Sequence, residues 1–106
     1  MKEAECTWSK AFVGVCTRCH ERVCDPTITQ EGNAGENLKD FLKASLRTKG
    51  HAGAIRTVTT SCLGLCPMGA HAVVIHAHGE KGKMLALHPE ADREELVHYL
   101  NQLADA

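Results

Sequence analysis

With 106 residues, 43% of them hydrophobic and 24% charged, the chain has the size and make-up of one globular domain and is too short for two. Its net charge of -1 lacks the basic footprint of a protein that binds nucleic acid or an anionic membrane, and one Trp, one Tyr and two Phe are too few for a base-stacking platform. No run approaches the roughly 20 apolar residues that span a bilayer.

The start, Met1-Lys2-Glu3-Ala4-Glu5, is acidic and leads into no apolar core of signal-peptide length, so the expected location is cytoplasmic. There, clustered cysteines favour metal binding or redox chemistry over structural disulfides. Six cysteines would suit three disulfides in an exported protein, but this chain carries no export signal. Residues 1–9 read as an N-terminal extension, in which Cys6 is a free thiol in polar surroundings, and residues 10–106 as a single domain.

Ala11 to Cys16 suits a buried strand. Residues 17–35 contain Pro26, Gly32, Asn33 and Gly35 with little periodicity and read as a long loop. A loop of that length in a small domain is usually functional, and this one carries Cys19 and Cys24. From Glu36 to Lys49, Leu38, Phe41, Leu42 and Leu46 fall at helical spacing, and Gly50 stands where a capping glycine belongs. Lys39, Lys43, Arg47 and Lys49 make one face of that helix basic, as a solvated surface or a dock for an acidic redox partner.

The β-branched run Ile55 to Thr60 is a second strand, ending at the second group of cysteines. Ala70 to His78 is a third strand, Gly79-Glu80-Lys81-Gly82 a turn, and Lys83 to His88 a fourth strand completing a hairpin. His76 and His78 alternate with apolar neighbours as a solvated strand face. Pro89 stops the fourth strand. Beyond it Leu96, Val97, Leu100, Leu103 and Ala104 repeat at helical spacing, with acidic residues in the first turn complementing the helix dipole. The order is β-α-β-β-α, which predicts an α/β fold with one sheet and two helices against it. Cys16, at the end of the first strand, and Cys62, after the second, are then expected to converge at one edge of the sheet.

The chemistry lies in two segments, Val15-Cys16-Thr17-Arg18-Cys19-His20-Glu21-Arg22-Val23-Cys24 and Ser61-Cys62-Leu63-Gly64-Leu65-Cys66-Pro67-Met68-Gly69. Four thiolates suit zinc or an iron–sulfur cluster, and the C-x3-C spacing of Cys62 and Cys66 is open to both. Gly64 and Gly69 let the backbone approach closely and aim N–H groups at sulfur, as a negatively charged cluster requires. Pro67 stiffens the exit and has no N–H to leave unsatisfied.

A strand ending in Cys16, a loop with Cys24, a helix, a strand, the Cys-Leu-Gly-Leu-Cys-Pro-x-Gly loop, a hairpin, and Pro89-Glu90 before an amphipathic helix resembles the thioredoxin-like [2Fe–2S] ferredoxin family. That family is itself similar to the small cluster-bearing subunit of complex I and to related predicted metal-binding proteins with a Cys-Thr-x-Cys segment. The resemblance covers roughly residues 10 to 104. It implies a mixed four-stranded sheet with two helices and a [2Fe–2S] cluster, one iron on Cys16 and Cys24 and the other on Cys62 and Cys66. Cys19 is the alternative to Cys24, which is preferred because the intervening residues give the chain room to fold around the cluster. The implied activity is one-electron transfer between redox partner proteins, with no substrate turned over by this chain and no role for nucleic acid or membrane. Members of the family are often homodimers, so a second copy is another partner the resemblance implies.

Other readings compete. Zinc on the same four cysteines, with His20 as an alternative ligand, would make a non-redox scaffold or interaction module. Cys16 and Cys19 form a C-x-x-C pair for thiol–disulfide chemistry, although residues 21–35 do not make the amphipathic helix whose N-terminus would activate the first thiol. With His20 the string is also a c-type haem signature, with Met68 as the opposite ligand, yet that leaves the C-x3-C loop unexplained. His71 follows the second segment and reads as an exposed loop histidine, with a hydrogen bond to sulfur as the sharper alternative. No Gly-rich phosphate loop or Ser-His-Asp set is present.

Overall fold

The computed structural model describes residues 2–4, 8–18, 30–61 and 70–105. Its elements are β1 (Ala11–Cys16), α1 (Ala34–Thr48), β2 (Ile55–Thr60), β3 (His71–Ala77), β4 (Lys83–Leu87) and α2 (Arg93–Asp105). The β-α-β-β-α order and the α/β class agree with the sequence reading. The four strands form one mixed sheet in the order β2-β1-β3-β4. Parallel pairing of β1 with β2 needs a crossover, which the stretch containing α1 supplies; β1–β3 and β3–β4 are antiparallel. Among the described residues no helix is long and apolar enough to cross a membrane.

Strand alternation assigns the two faces. Ala11, Val13 and Val15 of β1 join Ile55, Val73, Ile75 and Leu87 in a core completed by Leu38, Leu42 and Leu46 of α1 and by Leu96 and Leu100 of α2. Both helices therefore cover one side of the sheet. Phe12, Gly14 and Cys16 occupy the other side. A Cβ on Gly14 would meet Val74 Cγ1 at 2.9 Å and Thr60 Cγ2 at 3.0 Å, so β1 carries no side chain where its neighbours' side chains close over it. Trp8 packs on Phe12 in a tilted arrangement, ring centroids 5.6 Å apart and planes at 46°, extending this second face beyond the strand.

Helix α1 begins two residues before the apolar periodicity. Asn33, assigned to the long loop by sequence, is its N-cap, accepting hydrogen bonds from the N–H groups of Gly35 and Glu36. At the other end Gly50 adopts φ 77°, the Gly50 N–H donates to Arg47 O at 3.0 Å, and the His51 N–H donates to Leu46 O at 2.8 Å. That pair of bonds is a Schellman cap, which the glycine's freedom at positive φ permits. His51 then anchors the helix pair, its Nδ1 lying 2.9 Å from Asn101 Oδ1 and its Nε2 3.1 Å from an Asp105 carboxylate oxygen. β4 ends at Leu87, and beyond it the His88 ring accepts the N–H groups of Glu90 and Ala91 while Asp92 accepts the His88 N–H at 2.7 Å, turning the chain into α2.

Candidate metal centre

Because β1 and β2 run parallel and in register, Cys16 and Thr60 lie side by side at the same end of the sheet. Both cysteine segments leave from that end. The second departs at Ser61 beside the outer strand β2, and the chain is described again from Ala70, leading into β3 on the far side of β1. Its described flanks thus straddle the end of β1, where Cys16 sits.

The flanks of the first segment are tied together as well. The Thr17 N–H and the Thr17 hydroxyl both donate to Thr60 O, each at 3.0 Å, which fixes the chain leaving β1 against the end of β2. The Asn33 amide donates to Thr17 O at 3.1 Å while its carbonyl oxygen accepts Gly35 N–H at 2.9 Å and Glu36 N–H at 3.2 Å. One side chain therefore caps α1 and fastens the helix to the residue after Cys16. Contact is so close that a Cβ on Gly35 would lie 2.4 Å from Cys16 O. Nearby, the Gln30 N–H donates to a Glu90 carboxylate oxygen at 2.9 Å, linking the end of the segment to the turn before α2.

Cys16 is the last residue of β1 and is 1% exposed. By strand alternation it lies on the side of the sheet opposite the leucine core, with Phe12 and Gly14. The N–H groups of Gly35 and Glu36 in the first turn of α1 are taken by the Asn33 side chain. A buried thiol at a strand end, with its backbone fixed on both sides, is a preorganised soft donor. Cys6, Cys19, His20, Cys24, Cys62, Cys66 and Met68 lie outside the described residues. Among the described residues no three His, Cys, Asp or Glu side chains group together to hold a metal.

His71 corrects one expectation. It is the first residue of β3, opposite Leu87 in β4, and fully buried rather than exposed in a loop. The pairing of β3 with β4 on one side and β1 on the other carries that burial. Alternation puts His71 on the helix side of the sheet and Cys16 on the other. His76 is exposed, as read from sequence, and His78 Nε2 lies 3.0 Å from Trp8 O.

Three residues that shape this end, Thr17, Asn33 and Gly35, went unassigned as site-builders in the sequence. A signal existed for Asn33, since Asn immediately before an acidic first turn is a helix-start pattern. None existed for the Thr17–Thr60 bonds, which depend on strands far apart in the chain. No protein-family model, curated protein or solved structure compared with the chain matches it, so the assignment of this end rests on its own residues and geometry.

Proposed function

We propose that the protein is a small electron carrier of thioredoxin-like fold that binds one [2Fe–2S] cluster through Cys16, Cys24, Cys62 and Cys66, with Cys19 the alternative to Cys24. The observation that carries this reading is that Cys16 and the described flanks of both cysteine segments share one end of the sheet. Bound there, the cluster would take up and release one electron. The chain's part is to supply four thiolates, to hold Cys16 rigid through the Thr17–Thr60 and Asn33–Thr17 bonds, and to limit the access of water. Burial and hydrogen bonding to sulfur set the potential of such centres. The partners in this reading are redox proteins and a second copy of the chain, in the cytoplasm.

Zinc on the same cysteines, giving a scaffold or interaction module, is the reading of a different class, and thiol–disulfide exchange is a third. Iron, zinc and acid-labile sulfide analysis of anaerobically purified protein separates them. Two irons and two sulfides per chain, with a visible band bleached by dithionite, support the cluster. One zinc per colourless chain, unchanged after anaerobic reconstitution with iron and sulfide, refutes it. Cys24→Ser is expected to abolish the band while Cys19→Ser retains it; the opposite outcome moves the second ligand to Cys19.

A further inference from the structure

The outer flank of the sheet carries a groove of about 350 Å³ between β4 and α2. Leu85 and Leu96 floor it. Lys83 and Tyr99 stand at one end, the lysine Nζ donating to the tyrosine oxygen at 3.1 Å, and Asp92 and Glu95 stand toward the other. β4 is the last strand of the sheet, so one side of its backbone has no neighbouring strand among the described residues. Met84, on its other face, is the sole exposed large hydrophobic side chain among the described residues, at 41%. The opposite edge, beside β2, has a recess of only about 60 Å³ lined in part by Lys43 and Arg47.

We infer that this edge receives an extended peptide segment of a partner protein, added as an antiparallel strand beside β4. Unpaired backbone groups on an edge strand supply main-chain hydrogen bonds to such a segment, and pockets for alternate side chains supply its specificity. Antiparallel pairing is slightly the more stable per residue, and for that direction the charges fix the order of the segment. α2 runs opposite to β4, so Asp92 and Glu95 lie toward the Leu87 end of the strand and Tyr99 beside Lys83. A strand antiparallel to β4 starts at the acidic end and finishes at Lys83. Side chains two residues apart face the groove together, at about 7 Å spacing. The segment therefore reads basic, any, apolar, any, acidic, with the apolar side chain over Leu85 and Leu96. The inference goes beyond the cluster reading and does not rest on it.

The test uses two acetylated, amidated peptides, Lys-Thr-Ile-Thr-Glu and its charge-reversed form Glu-Thr-Ile-Thr-Lys, titrated into the 106-residue protein as purified and followed by amide chemical shifts. The first is expected to bind up to about tenfold more tightly, the scale of two exposed charge pairs made or opposed, with shifts confined to β4 and α2. The variant Lys83→Glu with Glu95→Lys, both exposed positions, is expected to keep the wild-type circular dichroism and invert the preference. No shifts, equal affinities, or shifts on the opposite sheet edge overturn the proposal. So does a stable dimer in sedimentation that Lys83→Glu dissociates, since a second copy would then own the edge.

Discussion

Gly35→Ala separates local propensity from tertiary packing. The residue lies in the first turn of α1, where replacing glycine by alanine would, on propensity alone, gain about 1 kcal/mol. The added Cβ would instead lie 2.4 Å from Cys16 O and 3.1 Å from both Cys16 C and Thr17 Cα. All three are backbone atoms, and Cys16 is held by its pairing with Thr60, so the strand end cannot turn aside as a flexible side chain would. Restoring ordinary contact at 3.4 Å requires the helix N-terminus to retreat by about 1 Å. Overpacking of this kind costs about 1–3 kcal/mol. The retreat also stretches the Asn33–Thr17 hydrogen bond, from 3.1 Å to beyond bonding range, with a loss of about 1 kcal/mol. Set against the propensity gain, the net expectation is a destabilisation of about 1–3 kcal/mol, or a melting temperature lower by about 5–20 °C for a domain of this size. The measurement is thermal and urea unfolding, with Gly53→Ala as control. Nothing lies within 4 Å of a Cβ there, and its effect should stay within about 1 kcal/mol. A Gly35→Ala protein melting at or above the wild type would refute the seating of α1 on the end of β1.

Further substitutions probe the same architecture. Asn33→Asp keeps an oxygen to cap Gly35 and Glu36 but has no amide to give Thr17, so α1 should persist by circular dichroism while trypsin cuts faster after Arg18; Asn33→Ala loses both roles and should cost about 1–2 kcal/mol in urea unfolding. Gly14→Ala, opposed by side-chain atoms of Val74 and Thr60, should cost about 1–2 kcal/mol, less than the backbone clash at Gly35, in the same unfolding assay. Gly50→Ala forces a side chain to φ 77° and should lower stability by about 1 kcal/mol, with earlier hydrogen exchange in the last turn of α1.

Much of the fold was legible in the residues. The leucines of α1 recur at helical spacing because a helix covering a sheet must present one apolar stripe, and Gly50 ends it because the cap needs positive φ. The hairpin of β3 and β4 was readable from its polar, glycine-bearing turn. His71 was misread because a polar residue beside a glycine- and proline-bearing segment looks like loop, and its burial depends on β4 lying alongside. Asn33 and Gly35 were placed in a loop for a similar reason. Both are poor helix formers in isolation, yet one caps the helix from outside and the other lets it touch a strand.

By itself the sequence determined the element order, the apolar stripe of each helix, and the presence of two thiol-rich segments after β1 and β2. Those properties are local: periodicity and turn chemistry act over a few neighbouring residues. Only the tertiary structure decided that β1 lies between β2 and β3, which brings the flanks of both segments to the Cys16 end. It likewise decided that Gly35 meets Cys16 and that β4 is left as an edge beside a groove. Each of these follows from pairings between strands remote in the chain, and no local pattern of side chains encodes which strand becomes whose neighbour.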